Sequence, residues 1–367
     1  MSNKEINMKN FKIGFINTAI LSLCASSWGD NLPNYSVEIL PSIGGSNSKA
    51  IAINDLGVVV GMSTRTDEAD CLTEEYNQPC EYATLWQGGV AIDLGHVASD
   101  SDYAQINAIN NNGEIVGLEI DHFVGGGYIS KPIAGNAQGI YQLPLLVEGT
   151  GGVANDINDF NVVVGWGRNE NEQQQLVSWN NNTVTALQES PDYYRWGLSI
   201  NNTGWISGLE YRPYSGQPSN GFVLKNNSMT ALSSSQYYFS EGQAISDYGV
   251  IAGTLADREF SQPMAAIWVP TFLGGMEVIK LGALNHDVTS TLLDINNLGQ
   301  AVGHSMDENG VFRGTITSGF NLYDLNDYIK VDDGTIIEAN GINSLGQVVG
   351  TLSTSSGLKA VLLTPIP

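Results

Sequence analysis

The chain repeats one nine-residue phrase seven times, and this repetition constrains the fold more than any other feature of the sequence. The phrase consists of an apolar residue, Asn, two variable residues, Gly, three mostly apolar residues and a second Gly. Its second position recurs at intervals of 43 to 56 residues, at Asn54, Asn110, Asn158, Asn201, Ser246, Asn296 and Asn343. That period is too long for a helix pair or a leucine-rich turn and matches the four-stranded blade of a β-propeller.

Each phrase predicts a tight turn between two strands. Asn at the first turn position bonds its side chain to the backbone two residues on, and Gly at the fourth position supplies a left-handed conformation. Flanking β-branched runs, such as residues 58–60, favour strands. Asn161 replaces the turn glycine in the third copy and Ser246 replaces the turn Asn in the fifth. Both replacements meet the same backbone requirement, because Asn tolerates positive φ and Ser caps a turn more weakly than Asn does.

A loop, a short apolar strand, a polar turn and a fourth strand follow each phrase. In the first copy we expect these strands at 82–86 and 90–94, and we expect an irregularity in the second copy, where Pro132 falls within the third strand. The seventh copy reaches Pro367 without a fourth strand of its own. Residues 36–40 resemble the missing strand, so the N-terminal strand is expected to complete the last blade and close a ring of seven.

The sequence therefore predicts an all-β, seven-bladed β-propeller of four-stranded blades over residues 36–363. A short leader at 28–35 precedes it, and a tail at 364–367 follows it. The period leaves no room for a second domain of substantial size.

Residues 1–27 have the pattern of a secretory signal peptide. Lysines precede an apolar stretch at 13–23, and small residues follow that stretch. A buried N-terminal strand and a membrane anchor are the alternatives, although the apolar run is too short to span a bilayer. Leu23, directly before Cys24, is larger than the residue usual at a lipid-attachment site, which argues against a lipoprotein. The expected location is secreted or periplasmic.

The phrase Ile-Asn-x-x-Gly-x-x-x-Gly, with third strands such as Tyr82–Trp86 and Met264–Trp268, resembles the HAF-type extracellular repeats of bacterial proteins. In those repeats a His-Ala-Phe-x-Trp-like strand follows the phrase, and the His is absent from every copy in this chain. The resemblance covers nearly the whole chain after residue 27. It implies an extracellular location and a repeat architecture, and it supplies no catalytic residues.

Cys71 and Cys80 lie nine positions apart in the long loop at 64–81. An isolated pair of cysteines in an oxidising compartment predicts a disulfide. A metal site would need further Cys or His nearby, and a catalytic thiol would need a His partner. The four His residues of the chain are far from this loop in sequence.

The chain carries 15 basic and 38 acidic residues, a formal net charge of -23, and removing residues 1–27 leaves 12 basic against 37 acidic residues, or -25. Such a charge repels phosphate backbones and anionic lipids, so we expect neither nucleic acid nor a membrane surface as a partner. We expect a monomer without cofactor or metal. Calcium is the alternative, since acidic loops occur at 67–70, 100–102 and 307–310, but none has the full spacing of a calcium loop.

Candidates for catalysis are few. Glu119 and Glu210 occupy the same position after Gly-Leu in the second and fourth copies. Facing a central channel together, they would provide the carboxylate pair of a carbohydrate-active hydrolase or lyase. Shared ancestry of two repeats explains the identity as well. His304 follows the sixth phrase, and a lone His of this kind is more often structural than catalytic.

Aromatic residues concentrate in neighbouring loops on the face opposite the repeated turns, which we call the loop face. Flat rings interleaved with Arg suit the apolar faces of sugars or the side chains of a peptide, whereas packing between blades would explain them equally. The residues are Tyr193, Tyr194, Arg195, Trp196, Tyr211, Arg212, Tyr214, Tyr237 and Tyr238. We expect a non-enzymatic module that binds a glycan or an extracellular polypeptide there. A structural or adhesive surface protein would have the same fold and stays an alternative.

Overall fold

The computed structural model describes residues 32–65, 81–97, 101, 103–123, 127–148, 150–216, 219–232, 237–257 and 262–367. These residues form seven antiparallel sheets of four strands, which surround one central channel. The chain is therefore a seven-bladed β-propeller, as the period of the repeat predicts. The repeated turns lie on one face of the ring, called here the turn face, and the loop face lies opposite.

Blades one to six each take four consecutive strands, numbered here in chain order. The first three blades contain β2 (Ser48–Ile53), β3 (Val59–Ser63), β4 (Tyr82–Gln87), β5 (Val90–Gly95), β6 (Tyr103–Ile109), β7 (Ile115–Phe123), β8 (Gly127–Asn136), β9 (Gly139–Gln142), β10 (Gly152–Ile157), β11 (Val163–Arg168), β12 (Gln174–Asn180) and β13 (Thr183–Ala186). The next three contain β14 (Tyr194–Ile200), β15 (Ile206–Tyr211), β16 (Asn220–Lys225), β17 (Ser228–Ala231), β18 (Tyr237–Ile245), β19 (Ile251–Asp257), β20 (Met264–Pro270), β21 (Met276–Gly282), β22 (Asp287–Ile295), β23 (Ala301–Asp307), β24 (Phe312–Ser318) and β25 (Asn321–Asp324).

Blade seven joins the two ends of the chain. It contains β26 (Thr335–Ile342), β27 (Val348–Thr354), β28 (Gly357–Pro365) and the N-terminal β1 (Tyr35–Ile39), and a 3-10 helix (Leu325–Tyr328) precedes it. β1 runs antiparallel to β28, with Tyr35 opposite Pro365 and Ile39 opposite Val361. This pairing confirms the predicted closure. The blade extends beyond the predicted bounds, because Leu32 and Tyr35 are buried in its core and β28 continues to Pro365.

The repeated phrase forms the turn between the innermost and second strands of every blade. In blade one the Asn54 carbonyl accepts a hydrogen bond from the Gly57 N–H at 3.0 Å. The Asn54 side-chain oxygen accepts from the N–H groups of Leu56 and Val58 at 3.1 and 2.9 Å. Gly57 has a φ of +75°, which a residue without Cβ adopts at little cost. The predicted turn chemistry is confirmed.

The two exceptional turns also follow the prediction. Asn161 adopts a φ of +58° in place of glycine. The Ser246 hydroxyl accepts from the Val250 N–H at 3.2 Å, which is the longer counterpart of the bond that Asn makes in the other turns. The backbone requirement of the turn, rather than the identity of one residue, is therefore what the repeat preserves.

The second glycine of the phrase lies opposite a β-bulge in the innermost strand. In β2 the register shifts between Ala50 and Ala52, and the innermost strand of every blade shifts at the same position. A Cβ added to Gly61 would lie 2.1 Å from the Lys49 carbonyl oxygen. The equivalent contact is equally short at Gly117, Gly165, Gly208, Gly253, Gly303 and Gly350. Only glycine fits here, because the bulge brings the inner backbone against the second strand.

A belt of amide hydrogen bonds joins the blades below the turn face. The side-chain amide of Asn54 donates to the main-chain carbonyl of Asn110 in the next blade at 3.0 Å. The bond recurs from Asn110 to Asn158 (3.0 Å), Asn158 to Asn201 (3.1 Å), Asn201 to Ser246 (2.9 Å), Asn296 to Asn343 (2.9 Å) and Asn343 to Asn54 (3.1 Å). Among the described residues the belt is interrupted only after Ser246, because the serine side chain carries no amide donor. All seven of these residues are buried.

The hydrophobic core lies between adjacent blades. In every second blade from one to five, a tryptophan forms a hydrogen bond to the preceding blade. Blades one, three and five each bury a Trp of the third strand, and its indole N–H donates to a carbonyl of the preceding blade. The bonds run from Trp86 to Pro41 (2.7 Å), Trp179 to Pro144 (2.7 Å) and Trp268 to Leu232 (2.8 Å). Each bond satisfies the polar atom of a large buried side chain.

The irregularity that the sequence predicts at Pro132 is absent. The β7–β8 ladder runs without a register shift from Ile115 opposite Gly135 to Phe123 opposite Gly127. The Pro132 carbonyl accepts from the Leu143 N–H at 2.9 Å, so its nitrogen, which has no hydrogen, faces the end of the outermost strand. The proline therefore costs one bond at the edge of the sheet and none in its interior.

Removing one belt amide is expected to destabilise the whole ring. Asn201→Ala deletes the bond to Ser246 and the two turn bonds from Thr203 and Trp205, all at a buried site. We expect a loss of about 2–4 kcal/mol in the free energy of unfolding, measured by urea denaturation. Ser246→Ala is the matched control, because the Ser246 side chain makes no belt bond and its main-chain carbonyl is kept, and it should cost about 1 kcal/mol. Equal losses in the two variants would contradict a role for the belt.

Candidate functional site

The central channel opens on the turn face. Its cavity has a volume of about 620 Å³ and is lined by the seven innermost strands and their turns. Lys49 is its single basic residue among those described. The acidic lining residues are Asp55, Asp156, Asp159, Asp247, Asp294 and Glu338. Six carboxylates against one lysine give the cavity an excess of negative charge.

A ring of alternating Asp and Asn surrounds the mouth of this cavity. We call it the rim ring, and it consists of Asp55, Asn111, Asp159, Asn202, Asp247, Asn297 and Ser344. The side-chain oxygen of each Asp or Asn in it accepts, at 2.8–2.9 Å, the main-chain N–H of the rim residue in the preceding blade. The Asn202 amide also donates to Asp159 at 3.0 Å and to Asp247 at 3.3 Å. These bonds fix three carboxylates around the opening.

Two aspartates deeper in the channel link neighbouring blades. Asp156 accepts from the Ser199 hydroxyl at 2.7 Å and from the Ile200 N–H at 2.8 Å, both in blade four. Asp294 accepts from the Ile342 N–H of blade seven at 2.8 Å. These carboxylates serve the contact between blades, since their oxygens are engaged by the backbone.

Burial perturbs three carboxylates of the innermost strands. It raises the pKa of Asp156 and of Asp294 to about 6, although the hydrogen bonds that both accept oppose the rise. It also raises the pKa of Glu241, on β18, to about 7. The cause is desolvation of the charged form, which the surrounding strands impose.

An aromatic surface lies on the loop face where blades three and four meet. We define it as Trp166, Gln174, Tyr194, Trp196 and Tyr211. The two tryptophan rings stack with centroids 6.3 Å apart, and Tyr211 meets Trp196 edge-on at 5.7 Å and Tyr194 at 5.4 Å. All four rings are half-buried. The structure thus brings three of the predicted aromatic residues together and adds Trp166, which the sequence analysis missed.

Arg195 borders the aromatic surface but is already paired. Its Nε donates to the Glu210 carboxylate at 2.9 Å, and its NH1 donates to the Gln188 carbonyl. Its guanidinium lies 5.7 Å from the centre of the Tyr193 ring. Arg195 and Glu210 therefore form a fixed polar pair beside the rings, with Tyr193 against it.

The remaining predicted binding residues lie apart from this group. Arg212 forms an exposed ion pair with Asp192 at 3.7 Å. Tyr214 is fully exposed, in a turn where it adopts a φ of +59°. Tyr237 and Tyr238 begin β18, and their side chains lie outside the described part of the structure.

The structure does not place Glu119 and Glu210 together at the channel. Glu119 accepts from the Val97 N–H at 2.9 Å and lies 3.6 Å from His96, between blades one and two. Glu210 is engaged by Arg195 in blade four. Neither lines the channel cavity. The geometry expected for a channel-facing pair is therefore not found at these two residues.

His304 packs edge-on against Phe312, with ring centroids 5.1 Å apart. Burial lowers the pKa of His304, and the nearby charge of Glu338 partly opposes this effect. The imidazole is therefore favoured in its neutral form. It is not among the residues that line the cavity on the turn face.

The acidic loop at 307–310 is a capped turn. Asp307 accepts from the N–H groups of Asn309 and Val311 and from Arg313, and the bond from Val311 is the main cause that lowers the pKa of its carboxyl. Within the described ranges, no group of three or more His, Cys, Asp or Glu side chains has the geometry of a metal site. The loop at 67–70, most of 100–102 and the predicted disulfide of Cys71 and Cys80 lie outside the described residues.

Comparison with known proteins supports the fold alone. No protein-family model and no curated protein matches the chain, so the resemblance to HAF-type repeats stays a prediction. The structure is similar to the β-propeller domain of the Trilobed protease from Pyrococcus furiosus, with a TM-score of 0.52 and 11% identity over 90% of this chain and 95% of that chain. That domain is described as having an open velcro topology, whereas β1 closes the ring in this chain.

A longer protein contains a domain of similar fold. Acylaminoacyl peptidase from Pyrococcus horikoshii matches with a TM-score of 0.51 and 10% identity over 89% of this chain and 53% of that chain. TolB from Acinetobacter baumannii matches with a TM-score of 0.44 and 10% identity over 84% of this chain, and the chain spans 64% of the TolB length. Within the part of the chain that the structure describes, no helix is long and apolar enough to cross a membrane.

Stability is expected to rise as the pH is lowered from about 8 to about 5. Asp156, Asp294 and Glu241 have pKa values of about 6, 6 and 7 in the folded protein against ordinary values of 3.8, 3.8 and 4.5, so folding takes up protons in this range. The gain is fully present below the ordinary values and is lost as the pH rises through the folded values. Between pH 8 and pH 5 it amounts to about 1 kcal/mol for each aspartate and about 2–3 kcal/mol for Glu241.

Denaturant titrations across this pH range measure the effect. Asp294→Asn should flatten the profile, because the amide does not ionise. A profile that stays level in the native protein, or that rises toward pH 8, would show that these carboxylates are not perturbed.

Proposed function

We propose that this propeller is a non-enzymatic module that binds a glycan on the aromatic surface of the loop face. The observation that carries the proposal is the grouping of the rings of Trp166, Trp196 and Tyr211, the last two of which donate to the Gln174 side chain. Four half-buried rings meet at this one boundary between blades, whereas the boundary between blades one and two is filled by aliphatic side chains.

Two rings of the aromatic surface, those of Trp196 and Tyr211, are held by hydrogen bonds before a ligand arrives. The indole N–H of Trp196 donates to Gln174 Oε1 at 2.9 Å, and the Tyr211 hydroxyl donates to the same oxygen at 3.3 Å. Rings that are fixed in this way lose little conformational entropy when a ligand covers them. Their exposed faces are apolar and suit the C–H faces of a pyranose ring.

A polar group beside the rings suits the hydroxyls of a sugar. Because Gln174 Oε1 accepts two internal bonds, its amide nitrogen is the group that can donate to a ligand. The Arg195–Glu210 pair borders the rings but points to the opposite side of β14 and β15, so the Gln174 amide is the polar group of the sugar contact. Sugar hydroxyls both donate and accept hydrogen bonds, so a glycan can use flat rings together with a polar group. Apolar side chains of a polypeptide would instead be expected to fill an aliphatic pocket.

Glycan binding can be tested with the purified protein on a glycan array, followed by calorimetry with the oligosaccharide that binds best. Trp166→Ala and Tyr211→Ala are each expected to weaken binding at least about tenfold, because each removes a ring that contacts the sugar. Tyr211→Phe keeps the ring and should retain most of the affinity.

Tyr248→Ala, an exposed tyrosine on the turn face, is the matched control and should bind normally. Thermal melting of each variant separates loss of contact from loss of fold. An array without any binding, or binding that survives both alanine variants, would overturn the proposal. Capture of peptides instead of glycans, lost in the same variants, would favour the polypeptide alternative.

We further infer that the protein works outside the cytoplasm, as a secreted or periplasmic module. The signal-like segment at 1–27 supports this location. Sequencing the N-terminus of protein recovered from the producing cells should give a start at or near Trp28. Recovery of the intact N-terminus from the cytosol would contradict this inference.

A further inference from the structure

The turn face carries apolar side chains at one repeated position. This position directly follows the rim ring in each phrase, and it is apolar in five blades, at Leu56, Phe160, Tyr248, Leu298 and Leu345. Four of these side chains are largely in solvent, with Leu56 exposed by 74%, Phe160 by 71%, Leu345 by 62% and Tyr248 by 49%. We call the five residues the apolar crown, because one stands on each of five turns around the channel mouth.

The turn itself does not require apolar residues at these positions. The backbone N–H of Leu56, Phe160 and Leu345 donates to the side-chain oxygen of the belt Asn two residues earlier, at 3.1 Å in each case. Any residue except proline can make that bond. Asn112 and Thr203 occupy the same position in blades two and four. Exposing large apolar groups on four turns therefore has no explanation in the local structure, and exposed apolar patches mark interaction sites.

Further apolar groups stand on the same face. The turn between β20 and β21 in blade five presents Phe272 and Leu273, exposed by 83% and 89%. Turns between third and fourth strands emerge on the same side as those between first and second strands, because the sheets are antiparallel. Blade five therefore adds apolar surface outside Tyr248 of the crown.

The apolar crown surrounds an opening that is acidic. The rim ring holds Asp55, Asp159 and Asp247 at the mouth, and the cavity behind it adds Asp156, Asp294 and Glu338 against a single lysine among the described residues. The rim carboxylates are held by hydrogen bonds from backbone and amide groups, so their positions are set before anything binds. A ligand that fits this face would place a cationic group at the acidic mouth. It would cover the apolar crown with apolar side chains of its own.

We propose that the turn face docks a cationic, amphipathic polypeptide segment. A Lys or Arg side chain enters the channel mouth between the rim carboxylates, and neighbouring apolar side chains of the segment cover the crown. A small cation would leave the crown uncovered. A second copy of this chain would bring two acidic mouths together, and an anionic membrane would be repelled by the same charge.

Three synthetic peptides of equal length test the proposal against the purified protein. The first has a central lysine flanked by leucine and phenylalanine, the second replaces the lysine by glutamate, and the third keeps the lysine but has flanks of serine and glycine. Fluorescence anisotropy is expected to show the first peptide binding at least about tenfold more tightly than either of the others. Added salt should weaken its binding, because the lysine contact is electrostatic.

Variants on the two faces assign the binding to the turn face. Leu345→Ser removes one exposed group of the crown, and Asp247→Asn removes one rim charge. Each is expected to weaken the first peptide several-fold. Tyr211→Ala, on the loop face, should leave peptide binding unchanged, so this result is independent of the proposed glycan site. Leu56→Ser provides a second crown variant should Asp247→Asn fail to fold.

Several outcomes would overturn the proposal. Equal binding of the first and second peptides would remove the role of charge. Equal binding of the first and third would show capture of a cation alone. Absence of binding by every peptide at about 1 mM would show that the face does not dock such a segment. Self-association that is abolished by Leu345→Ser would identify a second copy as the occupant.

Discussion

The belt of asparagine amides is the interaction on which the rest of the ring depends. In each belt Asn the side-chain oxygen holds the residue's own turn, and the side-chain nitrogen holds the carbonyl of the next blade, so one buried side chain couples local and tertiary structure. A single bond of this kind contributes only about 1 kcal/mol, but an unmade buried one costs more. All six bonds point in the same sense around the ring, and each carbonyl that accepts one also caps a turn. The fold therefore ties the geometry of every turn to that of its neighbour.

An odd number of blades limits how regular the rim ring can be. An amide both donates and accepts, whereas a carboxylate only accepts, so alternating Asp and Asn lets each amide lie between two carboxylates without bringing like charges together. Seven positions cannot alternate completely. The alternation ends at Ser344, between Asn297 and Asp55, where Ser344 donates its N–H to Asp55 at 2.8 Å. The buried tryptophans of blades one, three and five follow the same two-blade period.

The sequence predicts the parts of this fold that depend on backbone conformation. Seven turns, the substitutions at Asn161 and Ser246 and the closure by β1 all follow from φ preferences and strand count. The belt could not be predicted in the same way. The carbonyl that accepts each belt bond lies in the next blade, and only the closed ring brings it next to the donating amide. The role of the second glycine, such as Gly61, depends likewise on a bulge in a neighbouring strand. At the loop face the run at 193–196 was evident as a local cluster, but Trp166 is isolated in sequence and meets Trp196 only across the boundary between blades.

The belt and the rim ring compensate for each other's interruptions. At a boundary between blades where one of them lacks a hydrogen bond, the other makes one. Within the described part of the chain the belt has no bond from blade five to blade six, but there the Asp247 N–H still donates to Asn297 at 2.8 Å in the rim ring. The rim ring in turn has no described bond from Asn297 to Ser344, yet Asn296 still donates to Asn343 at 2.9 Å and Asp294 accepts from Ile342. Because the interruptions fall at different boundaries, every pair of neighbouring blades keeps at least one direct link near the mouth. A surface fixed in this way can present charges and apolar groups to a partner without first ordering itself, which lowers the entropic cost of binding.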